Sequence, residues 1–163
     1  MITYKYSFFA KLLYRYGNIP LTLFLLLYLS MSVIGFLSHW YYIFFVAINL
    51  AIIVWLNRYY IKTYKQFPYT ISADNEKLIC SDFLLAQKVI EIQLINIDKI
   101  TGGIFSGYPT RPTYIHDAEH NITIGFYSNA GKFNELLVTI VKNVDEKLYQ
   151  QLIDKIRKLR DGK

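Results

Sequence analysis

No charged side chain occurs between Arg15 and Arg58, a stretch of 42 residues. A helix that crosses a bilayer needs about 20 apolar residues, so this stretch is too long for one crossing and suits two helices joined by a tight turn. We predict a transmembrane hairpin within residues 19–66, with spans at about 19–37 and 40–57. The content of 53% hydrophobic residues excludes a disordered chain and favours membrane contact.

The distribution of charge predicts the orientation of this hairpin. Residues 1–68 carry six basic side chains and no acidic one, whereas residues 69–163 carry 12 of each sign. The whole net charge of +6 therefore flanks the open end of the hairpin, and the positive-inside rule places both termini in the cytoplasm. The neutral second part argues against a nucleic-acid partner, which requires a basic surface.

Residues 1–18 combine apolar and basic side chains at helical spacing. Phe8, Phe9, Leu12 and Leu13 recur beside Lys11, which indicates an amphipathic segment lying in the membrane interface. An additional N-terminal turn of the first span is an equal alternative.

The predicted spans contain polar and small residues that suit helix packing. Counting outward from the turn places Asn49 opposite residue 29, next to Ser30, so we expect an interhelical hydrogen bond there in preference to an ion or substrate site. Ala47 and Ala51 form a small-xxx-small pair that allows close packing within the hairpin or against another subunit.

Residues 67–163 read as a sheet domain that ends in a helix. Phe67-Pro68 ends the helical region, because proline cannot continue a helix. Alternating patterns then predict six or seven strands, at 69–73, 77–83, 89–94, 99–105, 122–128 and 135–141, with a short one at 113–116 in the long loop 106–121. Asn143 is the predicted cap of an amphipathic C-terminal helix.

The order of these elements resembles a known family. Residues 69–80 and 89–100, a strand, a turn, a strand and an Ile-rich run, are similar to the opening of bacterial pleckstrin-homology-like (PH-like) domains. The resemblance implies a membrane-anchored α+β protein, with a PH-like antiparallel β-barrel or sandwich of six or seven strands and a C-terminal helix over residues 67–163. It also implies a binding or assembly module without enzymatic activity or cofactor. The first turn, Asp74-Asn75-Glu76-Lys77, is net acidic and argues against phosphoinositide binding.

One motif resembles a metal-binding pattern, but we do not predict a metal site there. His116, Glu119 and His120 match H-x-x-E-H, which binds catalytic zinc when a helix places both imidazoles on one face. Here prolines precede the motif and a strand follows it, so we predict a polar loop with no metal or catalytic site. Arg111, between two prolines, is the loop cation that a partner could contact, although a solvated charge is the simpler interpretation. The single cysteine, Cys80, excludes an intrachain disulfide, in keeping with a cytoplasmic domain.

Two functional hypotheses follow from these patterns. The leading one is a PH-like interaction or assembly module on the cytoplasmic face of a bacterial inner membrane, with the lipid bilayer and either a protein partner or a second copy as its contacts. The alternative is an accessory subunit of a larger membrane enzyme or transporter complex, with Asn49, Ala47 and Ala51 at the contact.

Overall fold

A computed structural model describes residues 1–84 and 88–161. The chain divides into two compact units, and the division does not follow chain order. Lys11–Tyr64 form the first unit, called the hairpin unit below. Met1–Ala10 together with Lys65–Lys163 form the second, called the sheet domain.

Three helices account for the hairpin unit and its flanks: α1 (Phe8–Tyr16), α2 (Asn18–Ser38) and α3 (Tyr42–Gln66). The segments Phe8–Ser38 and Tyr42–Gln66 are long and apolar enough to cross a membrane. At about 1.5 Å per residue, the 21 residues of α2 and the 25 of α3 extend over roughly 31 and 37 Å. Helix α3 thus continues past the predicted span end at residue 57 and stops only before Pro68.

A short turn joins α2 to α3. The backbone N–H of His39 donates to the carbonyl of Gly35 at 2.9 Å, and that of Tyr42 donates to His39 at 3.2 Å. A Cβ atom at Gly35 would lie 2.7 Å from the Tyr42 ring. Glycine at this position therefore lets the tyrosine ring pack against the end of α2.

Two antiparallel sheets and two helices build the sheet domain. The first sheet has the strand order β1-β2-β3-β4, with β1 (Ile2–Lys5), β2 (Pro68–Ala73), β3 (Lys77–Phe83) and β4 (Ile90–Gln93). The second sheet has the order β5-β6-β7, with β5 (Ile97–Gly102), β6 (Thr113–Asp117) and β7 (Ile122–Phe126). Helices α4 (Phe133–Asn143) and α5 (Glu146–Asp161) follow the last strand.

Both sheets and both helices contribute to one hydrophobic core. Its fully buried or nearly fully buried side chains include Ile71, Leu78, Ile92, Ile100, Ile115, Ile124, Leu136, Ile140 and Leu152. Strands β4 and β6 bury alternate residues and each helix buries one face, as the two periodicities require. The α+β class predicted from the sequence is confirmed.

Two details of the predicted sheet domain are wrong, and one of its alternatives is excluded. The prediction allowed a barrel or a sandwich, and the seven strands form two sheets that are not closed into a barrel. The predicted strand at 135–141 belongs to α4, where burial of Leu136, Leu137 and Ile140 follows helical spacing although the run is rich in β-branched residues. Asn143 bonds backward to the carbonyl of Thr139, so it ends α4 and does not cap α5.

The first residues also differ from the predicted interfacial segment over 1–18. Residues 2–5 form β1 and join the sheet domain, while Phe8–Tyr16 are helical. The sequence Ile-Thr-Tyr-Lys-Tyr alternates, so Tyr4 and Tyr6 are buried while Thr3 and Lys5 stay exposed.

Candidate functional site

Strand β1 precedes the hairpin unit in the chain and β2 follows it, yet the two strands are paired. The antiparallel register runs from Ile2 opposite Ala73 to Lys5 opposite Thr70. The side-chain oxygens of the cross-strand pair Thr3 and Ser72 lie 3.0 Å apart. The segment before the hairpin unit and the segment after it are therefore neighbouring strands of one sheet.

An aromatic cluster adds contacts between Tyr6, which follows β1, and other residues of the sheet domain. It consists of five rings of the sheet domain, those of Tyr6, Phe67, Tyr69, Tyr114 and Tyr127. The Phe67 ring stacks on Tyr127 with centroids 4.4 Å apart and meets Tyr114 edge-on at 5.6 Å. Tyr6 meets Tyr69 at 5.7 Å and Tyr127 at 6.3 Å. Such pairs contribute about 0.5–1.5 kcal/mol each beyond their buried area.

Backbone hydrogen bonds fix the position of Tyr6 within the cluster. The N–H of Tyr127 donates to the Tyr6 hydroxyl oxygen at 2.9 Å, and the N–H of Gly131 donates to the carbonyl of Lys5 at 3.0 Å. Tyr6 also forms an isolated antiparallel bridge with Ala130. The residues directly before α1 are thus bonded to the segment that follows β7.

Gly125 makes room for Phe67 in the same cluster. A Cβ atom at Gly125 would lie 2.4 Å from the Phe67 ring, closer than any real contact. Only glycine lets β7 approach the first residue after α3 so closely.

The end of α3 has a cation against its terminal carbonyl groups. Lys88 Nζ donates to the backbone oxygen of Lys65 at 3.1 Å and lies 4.6 Å from the centroid of the Phe83 ring. A positive charge at a helix C-terminus is favoured by the helix dipole. Lys88 and Pro68 together define where α3 ends.

Within the hairpin unit, Asn49 bonds across to α2. Its Nδ2 donates to Ser32 Oγ at 3.2 Å and to the Phe45 carbonyl of its own helix at 2.9 Å. Ser30 is exposed, and its hydroxyl donates to the Leu27 carbonyl within α2. The acceptor is therefore Ser32, three residues along α2 from position 29 of the sequence count, and not Ser30.

A second polar layer in the hairpin unit was missed by sequence reasoning. Asn18 Nδ2 donates to Asn57 Oδ1 at 3.0 Å, and Asn57 Nδ2 donates to Thr22 Oγ1 at 3.4 Å. Thr22 in turn donates to Asn18 Oδ1 at 3.2 Å. The signal was available, because the count that put Asn49 opposite residue 29 also puts Asn57 opposite residue 21, next to Thr22.

Ala47 and Ala51 lie away from the contact between the two helices. Both are exposed, whereas Asn49 between them is buried. The small-xxx-small pair therefore does not mediate packing within the hairpin unit.

Of the H-x-x-E-H residues, His116 lies in β6, whereas Glu119 and His120 lie in the turn that joins β6 to β7, and the three side chains bond to different partners. His116 Nδ1 bonds to Asp98 at 2.7 Å and its Nε2 lies 3.4 Å from Asn121 Oδ1, while His120 Nδ1 bonds to Asp117 at 2.7 Å. Glu119 accepts a hydrogen bond from the side chain of Asn96.

These bonds raise the pKa of both imidazoles. The hydrogen bond to Asp98 raises the pKa of His116, and the hydrogen bond to Asp117 raises the pKa of His120. Over residues 1–84 and 88–161, no three His, Cys, Asp or Glu side chains are grouped so that they could hold a metal ion. The arrangement is that of a hydrogen-bonded turn in which buried Asp117 also accepts the N–H of Glu119 at 3.0 Å.

Arg111 lies in the loop between the two sheet-domain segments β5 and β6. Its guanidinium carbon lies 4.2 Å from the centroid of the Tyr108 ring, and both side chains are exposed. The pair is a cation–π contact at the surface.

No family model, curated protein or solved structure matches this chain. The function is therefore inferred from the sequence and the structure of this chain.

Proposed function

We propose that the chain is a membrane-anchored PH-like interaction or assembly module. In this proposal the hairpin unit crosses a bacterial inner membrane twice, and the sheet domain lies on the cytoplasmic side, where it binds a protein partner or a second copy of the chain. No enzymatic activity and no cofactor are proposed.

The pairing of β1 with β2 carries the proposal. Backbone hydrogen bonds join residues before the hairpin unit to residues after it, so these two segments must lie on the same side of any membrane that the helices cross. If β1 and β2 lie on one side, the chain between them crosses the membrane an even number of times, which supports two spans. Six basic and no acidic side chains in residues 1–68 support the cytoplasmic side.

The arrangement of the sheet domain supports the PH-like part of the proposal. The resemblance implies six or seven antiparallel strands and a C-terminal helix, and the sheet domain has seven such strands and ends in α5, although β1 comes from before the hairpin unit and α4 is an additional helix.

The β2–β3 turn supports a partner other than a phosphoinositide. Lys77 is its only cation, and Lys77 Nζ lies 2.9 Å from Glu91 Oε1. Asp74 accepts the N–H groups of Lys77 and Glu76, and these bonds lower the pKa of the Asp74 carboxyl. The turn thus presents carboxylates where an anionic headgroup would need cations.

Cysteine accessibility tests the topology. Cys80 is buried, and burial raises the pKa of its thiol, so it gives a low background. We expect a membrane-impermeant maleimide to label Glu119→Cys only in inverted vesicles and His39→Cys only in intact spheroplasts. Labelling of both variants from the same side would contradict the proposal.

The assembly role needs a separate measurement, namely native mass spectrometry after extraction in a gentle detergent. A single homo-oligomer supports self-assembly. Stoichiometric co-purification of one other membrane protein supports the accessory-subunit alternative, which the exposed positions of Ala47 and Ala51 favour. A monomer with nothing bound would contradict both.

A further inference from the structure

A half-open apolar groove lies in the sheet domain between α4, α5 and the 3-10 turn Gly103–Ser106. Its volume is about 250 Å³. The lining side chains include Ile104, Phe105, Leu137, Val138, Lys142 and Ile153. We call this feature the α4–α5 groove.

The floor of the α4–α5 groove is fixed by the domain core. Phe105 is completely buried and Leu137 is 7% exposed. The turn that carries Phe105 depends on Gly102, whose φ is +78° and whose Cβ would lie 2.0 Å from the Pro112 carbonyl oxygen. The groove therefore exists before any ligand binds.

The rim of the groove is apolar with one cation. Val138 is 50% exposed and Ile104 is 40% exposed, so the walls meet solvent without cover among the described residues. Lys142 is the only charged side chain among the lining residues, and its ammonium group makes no ion pair within the described parts of the chain. Lysine side chains commonly lay their methylene stem along an apolar surface and keep the ammonium group in water.

We propose that the α4–α5 groove binds the hydrocarbon chain of a single-chain carboxylate amphiphile, of the fatty-acid class. The apolar walls match the chain, and the unpaired Lys142 matches the carboxylate. This ligand site goes beyond the proposed assembly role and does not depend on membrane insertion.

The size of the groove favours such a chain over a bulkier occupant. A cavity of about 150 Å³ holds benzene, and pockets for drug-sized ligands begin at about 300 Å³, so about 250 Å³ suits a short flexible chain.

Methyl-labelled full-length protein in nanodiscs provides the test, with decanoate and decylamine as matched probes. We expect decanoate to shift the Ile104 and Ile153 methyl signals in a saturable way, while the methyl signals of the exposed Val89, outside the groove, do not move. Because one exposed charge pair changes affinity by about two- to fivefold, decanoate should bind tighter than decylamine by that factor.

Variants separate groove binding from bilayer partitioning. Ile153→Trp fills the groove and should abolish the saturable shifts, whereas the control Val89→Trp should preserve them. Lys142→Gln should remove the preference for decanoate over decylamine. Shifts confined to hairpin-unit methyls, or a preference that survives Lys142→Gln, would overturn the proposal, as would a groove that responds to neither probe.

Discussion

The hairpin unit and the sheet domain bury opposite kinds of side chain. In the helices of the hairpin unit the buried residues include Ser32, Asn49 and Thr63, while Phe24 is 60% exposed and Leu27 is 64% exposed. In the sheet domain, core residues such as Leu78 and Ile124 are completely buried.

This reversal is what the proposed insertion of the hairpin unit into a membrane requires, because the two regions would then face two different solvents. In water, burial of apolar surface drives folding and polar groups stay outside. In hydrocarbon, apolar side chains gain nothing from leaving the solvent, and helices associate through packing and polar contacts. The reversal therefore agrees with the proposed membrane insertion, and it predicts opposite responses to similar substitutions in the two regions.

The largest expected contrast is between two leucines. Leu78→Ala should lower the free energy of unfolding of the sheet domain by about 2–5 kcal/mol, because it leaves a cavity in the core. Leu27→Ala, on the exposed face of α2, should change that free energy by less than about 0.5 kcal/mol. Denaturant unfolding in detergent, followed by the methyl signal of Ile124, measures both. Equal losses would contradict the contrast.

The aromatic cluster gives the next largest effect. Gly125→Ala should destabilise the sheet domain by about 1–3 kcal/mol, because the new methyl group collides with the Phe67 ring. In a Phe67→Ala background the same change should cost little, since the colliding ring is gone. The double-mutant cycle is measured by the same unfolding experiment, and additive losses would show that the ring does not restrict position 125.

The polar contact in the hairpin unit should give a smaller effect. Asn49→Ala removes the bond to Ser32 and should weaken helix pairing by about 0.6–2 kcal/mol. Ser30→Ala is the matched control, because the Ser30 hydroxyl bonds only within α2. The measurement is SDS-induced unfolding followed by tryptophan fluorescence, since both tryptophans, Trp40 and Trp55, lie in the hairpin unit. A loss in Ser30→Ala as large as that in Asn49→Ala would contradict this assignment.

The smallest expected effect is a pH dependence of the sheet domain. The pKa of His116 is raised in the folded state, so its stabilisation is complete below the unfolded value of about 6.5 and is lost as the pH rises through the folded pKa. Because both partners are partly exposed, this contribution should stay below about 1 kcal/mol. Asp98→Asn should return the NMR titration midpoint of His116 towards its ordinary value, whereas Asp154→Asn should leave it unchanged. An unchanged midpoint in Asp98→Asn would contradict the assigned cause.

The sequence predicted those elements whose signal is local. The charge-free stretch located α2 and α3, and alternation located β2 and β3 to within about one residue. Strand β1 carries the same alternation, but its partner lies more than 60 residues away across the hairpin unit, so no local pattern could connect it to the sheet domain. The β-branched residues of α4 favoured a strand in the sequence analysis. In the folded domain this segment is a helix, because tertiary packing overrides local β-propensity.

The site was less predictable because it depends on register and contact between distant segments. Asn49 was identified as a packing residue, but its partner is Ser32, about one helical turn from the counted position 29. The aromatic cluster combines residues from before the hairpin unit, after it, and from β6 and β7. Only the folded arrangement of the strands brings those rings together.

An intrachain cross-link between Thr3→Cys and Ser72→Cys tests most directly whether the strand before the hairpin unit completes the sheet that follows it. Their side-chain oxygens lie 3.0 Å apart, and Cys80 is buried, so the engineered pair is the reactive one. Mild oxidation of the protein in native membranes, followed by peptide mass spectrometry, should give a disulfide within one chain in most molecules. Recovery of both cysteines unlinked, or linked only between two chains, would contradict the account.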